Sequence, residues 1–271
     1  MVRETATGED RVPPVESPSE PASPERVMVQ GGLLSTLTLL LVPFALAADG
    51  TGVICGTVFH RGQVPPPVRV PESQSVRHLV KRDRDGHLAE AVVWLEGEEL
   101  ETREGAAREY VVDQVDYFFV PNVLAIRDGD RVQFLNSDGA NHGVIGESTL
   151  AENMFNIVVP PGGRYVHRFR VSTLARRMGR PTLVRLRCPI HAAMSGWIVV
   201  FPHPYYAVTA KDGRFCIAHA PPGSWRLKVL HPDTGLSYTR EVEVVPGGRI
   251  ELQIVLRGAG GQRDGSASGR E

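Results

Sequence analysis

The chain carries almost no net charge, with 30 Lys and Arg against 31 Asp and Glu over 271 residues. That balance removes the usual grounds for expecting nucleic acid or an anionic membrane surface as a partner. Helical periodicity is missing from every long segment, so helices are not expected to organise the core. Cysteine is scarce: Cys55, Cys188 and Cys216 are the whole complement. An odd count leaves at least one thiol unpaired or on a metal. What the chain does have is 28 Gly and 21 Pro, separating short runs rich in Val, Ile, Phe and Tyr. That pattern predicts an all-β protein with many turns.

The N-terminal stretch from Met1 to about Glu25 is crowded with Pro, Ser, Glu and Thr, too polar to bury a core, and is expected to be disordered. An apolar run, Leu33–Ala47, follows and is short for a membrane span. Ala45 and Ala47 form an A-x-A cleavage signature before Ala48-Asp49, so residues 1–48 read as a leader and export signal. A basic opening is missing; Met28 is an alternative start, and an uncleaved anchor is the alternative reading. Both place the folded part outside the cytoplasm, and cleavage would leave no integral span in the mature chain. Export permits disulfides, so Cys55 and Cys216, each inside an apolar strand-like run, are either buried thiols or a bridge.

Strands are expected at Gly52–Phe59, Ala91–Glu96, Tyr110–Val112, Tyr117–Val120, Val123–Ile126, Arg131–Leu135, Arg164–Phe169, Thr182–Arg187 and Trp197–Phe201. After Pro202-His203-Pro204 come five more short runs separated by Asp212-Gly213, Pro221-Pro222-Gly223 and Pro246-Gly247-Gly248. This gives a first domain over 51–201 with an N-terminal strand extension, a second over 202–257, and a disordered tail over 258–271.

Chemistry concentrates in Cys188-Pro-Ile-His191-Ala-Ala-Met194. A thiolate, an imidazole and a thioether in one short loop between strands are a soft ligand set. One further His would complete the arrangement that copper electron-transfer sites use. Residue frequencies alone lead to an expectation of about 0.002 such loops in a chain this long. His142, after the turn Asn136-Ser137-Asp138-Gly139, is the candidate for the missing ligand. His60, His78 and His87 lie far from any other ligand-type cluster. His167 reads as solvent-facing, and His203, His219 and His231 as structural or surface residues.

The run Gln114…Phe118-Phe-Val-Pro121…Gly129-x-x-Val-x-Phe134-x-Asn136-Ser-Asp138…His142…Cys188-x-x-His191-x-x-Met194-x-x-Trp197 resembles the plastocyanin/amicyanin branch of the cupredoxins. The continuation His203-Pro-Tyr-Tyr-Ala-Val-Thr209…Asp212-Gly-x-Phe215…Pro221-Pro-Gly223 is similar to bacterial methylamine utilization proteins. The resemblance implies a cupredoxin-like Greek-key β-sandwich followed by a smaller transthyretin/carboxypeptidase-regulatory-like β-sandwich. It also implies one copper ion per chain on His142, Cys188, His191 and Met194. There is a departure: cupredoxins follow the first ligand His with Asn, tied to a Ser or Thr just after the Cys, and here Gly143 and Pro189 stand at those places. The Gly143 N–H remains available to donate to the Cys188 sulfur.

The implied role is that of an exported type 1 (blue) copper protein passing single electrons. Its redox partner would dock on the apolar collar of Pro189, Ile190, Ala192 and Ala193 around His191. The competing reading is copper capture or delivery without electron transfer, although no Met-rich or His-rich tract is present to support storage. An enzymatic role is disfavoured because four protein ligands leave no open position for substrate. The C-terminal module shows turn chemistry and no acid/base cluster.

Overall fold

The computed structural model describes residues 50–98, 100 and 106–258. The expected leader and export signal, and the tail apart from Gly258, lie outside the described residues. Alternating apolar and polar residues become strands throughout, as a period of two on a half-buried surface requires. In chain order these are β1 (Gly52–Arg61), β2 (Val68–Arg69), β3 (Val76–Arg77), β4 (Val92–Glu96), β5 (Glu109–Val115), β6 (Phe118–Val120), β7 (Val123–Arg127), β8 (Arg131–Asn136) and β9 (His142–Ser148). They continue as β10 (Phe155–Val159), β11 (Arg164–Arg168), β12 (Thr182–Arg187), β13 (Ser195–Phe201), β14 (Tyr206–Val208), β15 (Arg214–Ala220), β16 (Gly223–His231), β17 (Leu236–Val244) and β18 (Arg249–Arg257). One short helix, α1 (Thr173–Arg177), begins at Ser172, whose hydroxyl accepts from the Ala175 N–H.

The middle of the chain forms a Greek-key sandwich. A five-stranded sheet, ordered β10-β9-β12-β13-β7, faces a four-stranded sheet, ordered β11-β8-β5-β6. Val112, Phe119 and Phe134 from the smaller sheet and Val144, Leu186 and Ile198 from the larger fill one core. Removing each such side chain from water stabilises the fold by roughly 1.5–3 kcal/mol.

A second sandwich is built from a three-stranded sheet, β15-β1-β18, and a four-stranded sheet, β14-β4-β16-β17. Their common core includes Ile54, Leu95, Ile217, Leu227 and Ile254. This differs from the boundaries expected above. The runs expected at Gly52–Phe59 and Ala91–Glu96, both placed within the first domain, pair with strands beyond residue 202: β1 lies between β15 and β18, and β4 between β14 and β16. Alternation marks a strand but says nothing of its partner, and β1 runs parallel to a strand at the far end of the chain. Cys55 and Cys216 face each other across β1 and β15 and form a disulfide.

All five residues of β4 are buried. Val93 and Leu95 point into the second core, whereas Val92 and Trp94 pack on Val123, Val199 and Phe201 of β7 and β13. The two sandwiches therefore share a dry face. Among the described residues no helix is long and apolar enough to cross a membrane.

Candidate metal centre

The hairpin β12–β13 closes at the Arg187–Ser195 pair, and Cys188–Met194 is its loop. The Cys188 N–H donates to the Met194 carbonyl at 3.1 Å and the Met194 N–H to the His191 carbonyl at 3.0 Å, which winds the loop tight. Strand β9 lies next to β12 in the sheet, so its first residue, His142, arrives beside that loop. Ligand-type atoms of His142, Cys188 and His191 all lie within 4.8 Å of one another. The two Nδ1 atoms are 3.0 Å apart, and His191 Nδ1 is 3.6 Å from Cys188 Sγ. Exposure is 0% for His142, 3% for Cys188, 7% for His191 and 1% for Met194, so water does not compete for these atoms. Met194 belongs to the same buried cluster as Cys188.

The His142 ring has one nitrogen already committed. His142 Nε2 meets Asp138 Oδ2 at 2.8 Å, which leaves Nδ1 directed at His191. Asp138 is itself held by the N–H groups of Asp116 at 2.6 Å and Tyr117 at 3.0 Å. Burial alone would raise the Asp138 pKa, but the N–H groups of Tyr117 and Asp116 together with His142 outweigh it, and the carboxyl sits below its usual range. Asp116 and Tyr117 form the two-residue turn between β5 and β6, with φ of 51° and 65°, the conformation that matches strand twist in a tight hairpin. A bulky residue such as Tyr is unfavourable there, and the two N–H bonds to Asp138 offset that cost. The Tyr117 ring meets His142 and His191 edge-on at 5.3 and 4.8 Å, covering both imidazoles. Desolvation, then the charge of His142, lowers the His191 pKa, while Glu72 and Asp138 oppose it. The neutral ring, the form that ligates a metal, is favoured.

The Gly143 N–H donates to Cys188 Sγ at 3.3 Å, as expected from the sequence. The missing Asn–Ser clasp also has a physical counterpart. A Cβ on residue 143 would lie 2.5 Å from Pro189 Cδ and 2.7 Å from Cγ. The proline ring occupies the space that a side chain at 143 would need, so the two departures are coupled.

The structure thus brings His142, Cys188 and His191 together, with Met194 buried in the same cluster as Cys188. Asp138 and Tyr117, which orient and cover the rings, carried no assigned role in the sequence reading. An Asp four residues before a candidate ligand His, across a turn, was the available signal. His167 is half-buried against Phe155 at 4.3 Å rather than solvent-facing, and His203 and His231 are buried. Asp83, Asp85 and His87 make a second grouping among the described residues, with both carboxylates exposed and the imidazole half-buried. There Asp83 Oδ1 already accepts from the N–H groups of Asp85, Gly86 and His87.

No protein-family profile matches the chain, and no curated protein matches it. Among solved structures, it is similar to the reduced state of an amicyanin mutant, with 18% identity and a TM-score of 0.28, over 40% of this chain and 97% of that one. A purple cupredoxin from Nitrosopumilus maritimus shares 19% identity with a TM-score of 0.27, over 34% of this chain and 98% of that one. A Cu-containing nitrite reductase from Thermus scotoductus shares 20% identity with a TM-score of 0.29, over 53% of this chain and 28% of that one.

Proposed function

We propose that this chain is an exported electron carrier with a single type 1 copper site on His142, Cys188, His191 and Met194. The observation that carries this reading is the convergence of two imidazoles and a free thiol, from the start of β9 and from the loop between β12 and β13, into a buried group within 4.8 Å. A His₂Cys set with a nearby thioether is the donor chemistry of copper electron-transfer sites. Copper held there would take up and release one electron by alternating between Cu(I) and Cu(II).

The chain's own residues do the rest. Asp138 fixes the His142 tautomer and orientation, and the Gly143 N–H stabilises negative charge on Cys188 Sγ. Tyr117 and the surrounding core exclude water. Pro189 and Ala192 are exposed and Ile190 is 51% exposed, so an apolar surface surrounds the loop, suited to docking a redox partner close to His191. Burial of all four side chains favours retention of the metal over its handover, which weighs against the delivery reading. The disulfide between Cys55 and Cys216 accords with export. In this reading the second sandwich is the carboxypeptidase-regulatory-like module.

The test is a visible and EPR spectrum of the copper-loaded chain, repeated with Cys188→Ser. An intense thiolate-to-copper band that cycles with mild oxidant and reductant, and vanishes in the variant, is expected. A colourless copper complex, or a band that survives the substitution, would sink the assignment.

A further inference from the structure

Arg77, the last residue of β3, is almost fully buried and connects the metal-site loop to the second sandwich. Its Nη1 donates to the Ala193 carbonyl at 3.3 Å and to the Ser195 hydroxyl. Its Nη2 donates to both carboxylate oxygens of Asp233 at 2.9 Å and to Asn122 Oδ1 at 3.5 Å. Asp233 lies in the turn between β16 and β17, and also accepts from Trp197 Nε1 at 2.9 Å and Asn122 Nδ2 at 3.1 Å. The Arg77 and Asp233 side chains are each only 7% exposed.

Ala193 and Ser195 flank Met194, so one guanidinium grips the chain immediately before and after that residue. A buried ion pair adds little stability over an apolar pair of similar volume. What a guanidinium does supply is a rigid fork of donors with fixed directions. In copper sites of this donor type the long axial ligand is one of the elements that tune the reduction potential.

We infer that Arg77 and Asp233 are positioning residues through which the second sandwich sets the placement of Met194 and with it the potential of the metal site. This rests on the copper reading above. Asp233 is the part contributed by the second sandwich, and Arg77 converts its position into a constraint on the loop. The second sandwich then acts on the redox centre without touching the metal.

The experiment uses the full copper-loaded chain and redox titration, with the thiolate-to-copper band and EPR spectrum as companion readouts. Arg77→Lys keeps a charge for Asp233, but its single ammonium cannot hold Ala193 and Ser195 together with the carboxylate. Arg77→Met combined with Asp233→Leu removes the grip and leaves no unpaired buried charge. Ser195→Ala is the mildest arm and removes one contact to the loop. Arg180→Gln is the control: it cuts a different contact between the sandwiches, to Glu96, away from the loop. Altering residues that orient a ligand typically changes metal affinity 10- to 100-fold. If the change falls on one oxidation state, a tenfold effect shifts a one-electron potential by about 59 mV.

Arg77→Lys and the double variant should shift by at least this much, Ser195→Ala less in the same direction, and Arg180→Gln not at all. Unchanged potential and spectra in Ser195→Ala and in whichever Arg77 variant folds would overturn the inference. So would an equal shift in Arg180→Gln, or unchanged Ser195→Ala values if neither Arg77 variant folds. A parent chain without the thiolate band would instead defeat the copper reading itself.

Discussion

Placing a methyl group on Gly143 tests whether the chain replaced a side-chain clasp with a steric fit. The new Cβ would lie 2.5 and 2.7 Å from two carbons of Pro189 and 3.4 Å from the Ile157 carbonyl oxygen. Carbon atoms in good contact sit at about 3.5–4.0 Å, so a gap of roughly 1 Å must open. A proline ring cannot rotate away, and shifting it moves the peptide that leads directly from Cys188. Such overpacking typically costs about 1–3 kcal/mol, and for a protein of this size each kcal/mol lowers Tm by roughly 2–4 °C. In a Pro189→Ala background the ring is gone and most of the cost should disappear.

The assay is a four-member double-mutant cycle, with thermal and denaturant unfolding of the metal-free protein followed by circular dichroism. An interaction energy of about 0.5–3 kcal/mol, in the direction of mutual rescue, is the expected range for groups in contact. Additivity within about 0.3–0.5 kcal/mol would refute the coupling. In copper-loaded samples Gly143→Ala alone should also move the thiolate band, because displacement of Pro189 disturbs the 3.3 Å N–H···S contact to Cys188.

Asp138→Ala should weaken copper retention about 10- to 100-fold by freeing the His142 ring, measured by competition with a chelator of known affinity; unchanged retention would show that Asp138 does not orient the ring. Replacing Cys55 and Cys216 with Ala opens a covalent loop spanning 161 residues, and should cost on the order of 5 kcal/mol in guanidinium unfolding, whereas a loss under about 1 kcal/mol would mean β1 is held by its sheet alone. Burial pushes both His203 and His231 down to about 4, so the unfolded chain binds these protons first as pH falls through about 6.5. Their contribution is complete above that pH and is lost on going from about 6.5 to 4, roughly 3 kcal/mol per ring; a flat stability profile across that window would overturn the assignment.

Much of the fold was legible because alternating strands announce themselves. Arg131–Leu135, Thr182–Arg187 and the five runs after residue 204 all became strands within a few residues of their expected ends. Strand β9 was not expected, since two of its residues, Gly143 and Gly146, interrupt the apolar pattern. The reason is close packing: a Cβ on Gly146 would lie 2.4 Å from the Phe155 ring on β10, and Phe155 is its cross-strand partner. Glycine there makes room for an aromatic ring, and no period-2 count records that. The loop from Cys188 to Met194 was visible because its donors are rare residue types at short spacing. Arg77 and Asp233 were invisible because they are common charged residues whose meaning comes from a partner 156 positions away.

The same long-range pairing decides whether the two sandwiches can be separated. A boundary near residue 202 suggests that a chain ending there would keep its metal site. The sheets imply otherwise. Truncation removes the strands on both sides of β1 and on both sides of β4, leaving two strands with open edges, which are prone to pair with other chains. It strips cover from the face where Trp94 meets Val199 and Phe201, and leaves Arg77 buried without Asp233. Truncation after Phe201 should therefore give an aggregation-prone chain with a perturbed copper spectrum. A cleaner cut would keep only residues from about 106 to 201, dropping β1 to β4 as well. That fragment retains both sheets of the first sandwich and all four expected ligands, and it lacks Arg77. If it folds and binds copper with the potential of the full chain, the second sandwich contributes nothing to the metal site; a folded fragment with a shifted potential shows that the removed strands contribute, and the Arg77 and Ser195 variants then separate the Arg77–Asp233 contacts from the Trp94 face.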